Sequence, residues 1–187
     1  VDAYFYRGRA HQFRLDWAKA EADWSEALKR DPAYVPALME RGRYRMRRYI
    51  EAFVDSGGGS YLKDNKAANE LKAQAAADFE AASKSGVVEQ QVVAEAMLSL
   101  AEGKAQSAVT LAENALAKRK TDEELWKVLG DAYYFSSPVD AYHRTGATAG
   151  EGLRKAMEAY TKAIDLRTNF PEARAMRAYI LELCGRI

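Results

Sequence analysis

This chain of 187 residues holds one cysteine, two histidines and four prolines. The lone thiol, Cys184, cannot close an intramolecular disulfide or build a multi-cysteine zinc site, which favours a reducing compartment and a cytoplasmic protein. The histidines, His11 and His143, lack the spacing of a metal-binding pair. No apolar run reaches the length of a membrane span, and the opening residues do not read as a signal peptide. The chain starts at Val1 already in helical pattern, which reads as a piece excised from a longer protein. Charge of one sign is also missing. The net charge is +1, from 28 basic and 27 acidic side chains, so nothing pulls the whole molecule toward nucleic acid or an anionic membrane. The only glycine run, Ser56-Gly57-Gly58-Gly59-Ser60, has neither the lysine nor the flanking strand of a phosphate-binding loop. Neither an active site nor a metal or cofactor is expected.

What is present is helix-forming. Alanine-rich windows dominate, 48% of residues are hydrophobic and 29% are charged, which predicts an all-helical chain able to bury a core. Residues 17–32, WAKAEADWSEALKRDP, show how. Ala20 and Ala27 flank Trp24 on one helical face before the break at Asp31-Pro32. Small residues on a buried stripe imply that another backbone comes close.

That backbone belongs to an internal repeat. Gly8 and Gly42 lie 34 residues apart, each preceded by arginine. Tyr4, Gly8, Ala20, Trp24, Ala27 and Pro32 fall in one helix–turn–helix. Leu38 and Gly42 pair with Ala75, Phe79 and Ala82, while Trp126, Leu129, Gly130 and Tyr133 pair with Ala156, Tyr160 and Ala163. A third pair is reduced to Ala96, Ala108, Ala112 and Ala115. The steps Ala27 to Gly42, Ala115 to Gly130 and Ala163 to Ala178 are each 15 residues, against 14 from Ala82 to Ala96.

On these positions the chain resembles the tetratricopeptide repeat (TPR) family. The resemblance covers nearly its whole length. It departs where the family carries an aromatic three residues after the glycine: His11, Arg45 and Ser99 stand there, and only Tyr133 fits. The resemblance implies an all-α, right-handed α-α superhelix of about four helix pairs plus a C-terminal capping helix. The pairs are read as about 1–34, 35–88, 89–122 and 123–170, with the cap at 171–187, all in a single array. Pro171 suits the first turn of the cap, and Thr121 with Glu124 reads as a capping box.

Two insertions interrupt the period, both between the first and second helix of a pair. Gly8 to Ala20 is 12 residues, whereas Gly42 to Ala75 is 33 and Gly130 to Ala156 is 26. The first insertion, about 52–72, reads as a projecting helical hairpin with the Ser-Gly run at its tip and a long second helix from about Lys63. The second, about 136–151, reads as a loop with one short helix.

The resemblance implies that the first helix of each pair lines a concave groove. Phe5, Arg9, Gln12 and Phe13 would come from the first pair, Met39, Arg43, Met46 and Arg47 from the second, and Lys127, Asp131, Tyr134 and Phe135 from the fourth. Val93, Met97 and Leu100 would come from the third. Guanidinium groups suit carboxylates, and Met with Phe suits apolar side chains, so the expected ligand is a peptide or protein segment, acidic or C-terminal. Members that clamp a carboxylate with Lys and Asn are not matched, because Asn is absent from these positions.

Residues 1–50 hold 11 Lys/Arg against 7 Asp/Glu, and RGRYRMRR at 41–48 supplies five of the arginines. A non-catalytic interaction or scaffold module is therefore expected. The expected setting is the regulatory region of a larger, bacterial signalling protein, by analogy with Ser/Thr kinases that carry TPR tails. The partner would be another protein or part of the parent chain, with no membrane and no nucleic acid. The alternative is anion or nucleic-acid binding through the Arg-rich helix, and self-association through open ends is a third possibility. The bland reading pairs Arg9 and Arg43 with acids on neighbouring helices, such as Asp2 or Glu40.

Overall fold

The computed structural model describes residues 1–55, 65–86, 88–137 and 150–183. Among them the secondary structure is helical, with no strand. In chain order the helices are α1 (Asp2–Phe13), α2 (Trp17–Arg30), α3 (Val35–Asp55), α4 (Lys66–Ser83), α5 (Val88–Ala101), α6 (Ala105–Lys118), α7 (Glu123–Ser136), α8 (Glu151–Leu166) and α9 (Pro171–Leu183). The chain divides into two compact units, Val1–Glu102 and Gly103–Ile187.

In the first unit each helix packs on the next, from α1 through α5, and α3 lies along α4 over the longest contact. In the second unit α6 packs on α7, α7 along α8, and α8 on α9. Three pairs share one device. A methyl group on Gly8 would lie 2.7 Å from Trp24 Nε1, one on Gly42 would lie 2.7 Å from Phe79 Cε1, and one on Gly130 would lie 2.7 Å from Tyr160 Cε1. Each glycine is a notch in the first helix, filled by the aromatic ring of the second. A helical glycine costs about 1 kcal/mol relative to alanine. It is kept because any Cβ would push the ring away. Ala20, Trp24 and Ala27 on α2, Ala75, Phe79 and Ala82 on α4, and Ala156, Tyr160 and Ala163 on α8 are all fully buried. In the third expected pair the matching residues are Ala96 and Ala112, with no aromatic, and the boundary between the compact units falls in the turn that joins those helices.

Helix ends follow local chemistry. Asp31, held extended before Pro32, stops α2. Pro171 opens α9 as expected. The N-cap of α7 is Asp122, not Thr121: its carboxylate accepts from the Leu125 amide at 3.0 Å. A charged acceptor satisfies an orphan N–H better than a hydroxyl, so the helix starts one residue later than the capping box implied. Asn65 caps α4 in the same way through the Ala68 amide. In the first insertion, α3 runs for 21 residues and α4 for 18, so both helices extend beyond those of the first pair. The tip at 56–64 lies outside the described residues, as do 138–149 of the second insertion, with His143, and 184–187, with Cys184.

α1 ends in a Schellman motif. The Asp16 amide donates to the His11 carbonyl and the Leu15 amide to that of Gln12. The motif places Leu15 at φ 61°, where glycine is the usual occupant, while Gly103 takes φ 80° at the matching position after α5.

Two outcomes are expected. Gly8→Leu should destabilise the chain by roughly 1–3 kcal/mol through overpacking, read as a fall in urea midpoint; an unchanged midpoint would contradict the notch. Leu15→Gly should raise stability by roughly 0.5–1 kcal/mol, because relief of left-handed strain outweighs the entropy of glycine and the 73% exposed side chain gives up little packing.

Candidate functional site

Arginine chemistry in the first unit starts from a repeated pair. Arg7, just before Gly8, forks onto Asp23, just before Trp24, through Nε at 2.8 Å and Nη2 at 2.5 Å. Arg41, just before Gly42, forks onto Asp78, just before Phe79, through Nε at 3.1 Å and Nη2 at 2.6 Å. Asp23 and Asp78 are both buried. Asp78 also accepts from Arg45 at 2.8 Å, and Arg45 reaches Glu21 at 2.9 Å. The five arginines of 41–48 therefore split. Arg41 and Arg45 bind α3 to its neighbours. Arg48 donates to the Tyr44 hydroxyl at 3.1 Å. Arg43 meets Glu40 of its own helix at 3.2 Å, not an acid of a neighbouring helix, and Asp2 accepts from the Tyr34 hydroxyl at 2.7 Å.

The expected groove residues separate by burial. Phe5, Met39, Met46, Tyr134 and Asp131 are buried. Val93, Met97 and Leu100 are buried too. Arg9, Gln12, Arg43 and Lys127 are partly buried, and Phe13 and Arg47 are exposed. In the first unit these residues form a polar string across α1 and α3. Gln12 donates to Glu40 at 3.3 Å, and Glu40 holds Arg43. Beside it Arg9 lays its guanidinium 5.8 Å from the centre of the Phe13 ring. Its Nε is buried without a hydrogen-bond partner, and no ion pair with Arg9 forms among the described residues.

A cleft of about 370 Å³ opens beside the α1–α2 turn. Trp17 stacks parallel on Tyr44 at 5.7 Å, and Arg47 lies 4.4 Å over Trp17 while holding Glu51 at 2.8 Å. Sequence reasoning missed Trp17 and Tyr44. The only signal was aromatic side chains one step outside the repeat positions.

In the second unit the predicted Lys127 and Asp131 come together at 2.6 Å, and the Tyr160 hydroxyl donates to Asp131 at 2.8 Å. Burial first, then the Asp131 charge, push the Tyr160 phenol well above its ordinary value. Burial likewise raises Tyr134. Burial and Glu113 bring Tyr133 to about 12. Among the described residues no group of His, Cys, Asp and Glu is arranged to hold a metal ion, and no helix is long and apolar enough to cross a membrane.

No family model matches the chain, and no curated protein does. Solved structures do. A crystal structure of MamA protein is 20% identical over 99% of this chain and 82% of its own, with a TM-score of 0.44. A second MamA crystal structure is 20% identical over 96% and 85%, with a TM-score of 0.42. A human IFIT1 dimer with m7Gppp-AAAA is 15% identical over 90% of this chain and 43% of that one, with a TM-score of 0.44. The helix-pair architecture stated above rests on this chain's own glycine–aromatic contacts, not on that likeness.

Two measurements bear on these networks. Asp78→Ala leaves Arg41 and Arg45 without their shared carboxylate and should cost about 2–4 kcal/mol in urea unfolding; a cost like that of an exposed pair, about 0.5 kcal/mol, would contradict the network. Tyr160 is raised in the folded state, so its share of stability is complete below the unfolded phenol value of 10.0 and declines as pH rises above it. Between about pH 8 and about pH 11, Tyr160→Phe should therefore lose less stability than the parent chain, and an equal or larger loss would contradict that sign.

Proposed function

We propose that the chain is a TPR-type, non-catalytic interaction module that binds an acidic, extended protein segment on the face shared by α1 and α3. What supports this reading above all is Arg9. Its Nε is buried without a partner, while its guanidinium borders an aromatic ring that is 67% exposed. A guanidinium with one nitrogen shielded from water gains from a carboxylate that takes the N–H groups still open to solvent. Phe13 beside it suits an apolar side chain of the same segment. Gln12 and Arg43 extend the polar string toward α3. Phe5, Met39 and Met46 support this face from beneath rather than touching ligand, since they are buried. Lys127 of the second unit is proposed as a separate contact, with Asp131 and Tyr134, which are buried, supporting it from beneath. The proposed setting is cytoplasmic, in the regulatory or scaffold region of a larger signalling protein such as a kinase; that rests on analogy alone.

Binding of nucleic acid through residues 41–48 is the weaker reading. Phosphate contacts need free cations, and Arg41 and Arg45 are spent on Asp78 and Glu21.

Selection from a random peptide display library provides the test. Selected peptides should carry Asp or Glu near an apolar residue, and Arg9→Ala should weaken them about tenfold. Selection without acidic enrichment, or peptides indifferent to Arg9→Ala, would overturn the reading. Tighter binding of an RNA oligonucleotide than of any peptide would favour the alternative.

A further inference from the structure

Next to the proposed peptide site on α1, about a quarter-turn or less round the helix from Arg9 and Phe13, lies a second exposed stripe. Ala3, Tyr6 and Ala10 follow the i, i+3, i+7 spacing of a packed helix face, yet all are exposed, Tyr6 at 64%. In three later helices the two alanine positions of this stripe are covered. Counted from the notch glycine, or from Ala178 in the last helix, the positions of Ala3 and Ala10 are Ala37 and Tyr44 in α3, Leu125 and Ala132 in α7, and Ala173 and Ile180 in α9. All six are buried. Each of those helices is packed against the helix before it: α2 on α3, α6 on α7, α8 on α9.

The covering contact is best defined where α2 meets α3. Trp17 stacks on Tyr44, Glu21 accepts from Arg45 at 2.9 Å, and Ser25 accepts from Arg41 Nη1 at 3.1 Å. The pairing runs antiparallel, early α2 residues meeting late α3 residues. Arg7 is the counterpart of Arg41. It spends the same two nitrogens, Nε and Nη2, on its own aspartate, but its side chain is 60% exposed where Arg41 is 18%. The nitrogen that Arg41 gives to the preceding helix is the one that Arg7 leaves unused.

We infer that the Ala3–Tyr6–Ala10 face of α1 docks an amphipathic helix of another protein, antiparallel to α1, with an acid or hydroxyl beside its apolar seam to take Arg7. The charge of the face selects this occupant. Arg7 and Arg14 flank the stripe on one side. In a two-fold antiparallel pairing of two copies, like flanks meet, so four arginines would line one edge and repel. A helix with acids on that edge turns the same charges into attraction.

The probe is a stapled helical peptide with the sequence of residues 16–32, the helix that covers the matching face of α3. It is titrated into the full chain and followed by fluorescence anisotropy and amide hydrogen exchange. Expected results are saturable binding, new protection in α1, and a loss of about tenfold or more with Tyr6→Glu or with the milder Tyr6→Ser. A peptide bearing the equivalents of Glu21→Lys and Ser25→Lys should also bind more weakly. Arg9→Ala, which tests the peptide face, should leave this binding unchanged, so the two sites fail separately. No binding at about 1 mM peptide, or binding indifferent to both Tyr6 variants, would overturn the inference. So would a dimer in sedimentation that Tyr6→Glu dissolves, because the occupant would then be a second copy.

Discussion

The structure depends on the close approach of two helix backbones at a glycine, with a large ring from the second helix seated in the notch. Gly8 with Trp24, Gly42 with Phe79 and Gly130 with Tyr160 repeat it at one geometry. The notch sets the spacing and rotation of each pair, and these decide which side chains turn inward. It also fixes the neighbouring polar chemistry. In the first two pairs the residue before the glycine is an arginine and the residue before the ring is an aspartate, and the helices come close enough for a two-toothed ion pair. In the α7–α8 pair those positions are Leu129 and Ala159, and the ring itself carries the polar contact, through the Tyr160 hydroxyl to Asp131.

This arrangement divides the arginines by task. Those at the pair seam serve packing, since their carboxylate partners are buried and each spends Nε and Nη2 on one of them. Those one or two positions further round the first helix are left to other chemistry. Arg9 and Arg43 both follow a notch glycine directly, yet Arg43 meets Glu40 while Arg9 has a ring and a buried, unpartnered nitrogen. A cluster of basic residues in sequence is therefore not one electrostatic patch. Helical rotation of 100° per residue sends neighbours to different partners.

That division explains what could be read from the sequence. The three glycine-notched helix pairs, their alanine–aromatic stripes, the long α3 and α4 and the start of α9 followed from periodicity, glycine spacing and proline, all of which act within one or two turns. The partners of Arg41 and Arg45 did not, because Asp78 lies 37 residues from Arg41, across the insertion. The Asp122 cap was missed because two adjacent residues could serve and the better acceptor won. Leu15 carried no sign of its left-handed backbone, since glycine is what usually marks that position. Half of the expected ligand face was apolar by type, and apolar type cannot distinguish an exposed anchor such as Phe13 from a buried support such as Met46.

The most direct measurement is a double-mutant cycle between Gly42 and Phe79. Gly42→Ala adds the methyl that the ring excludes, Phe79→Leu removes the ring, and the cycle cancels the helix propensity gained by alanine. If the notch holds the pair together, the two changes are non-additive, with the alanine tolerated better beside leucine by about 1 kcal/mol or more. Additive effects would mean that glycine and ring do not meet, and the repeat register would fall with them.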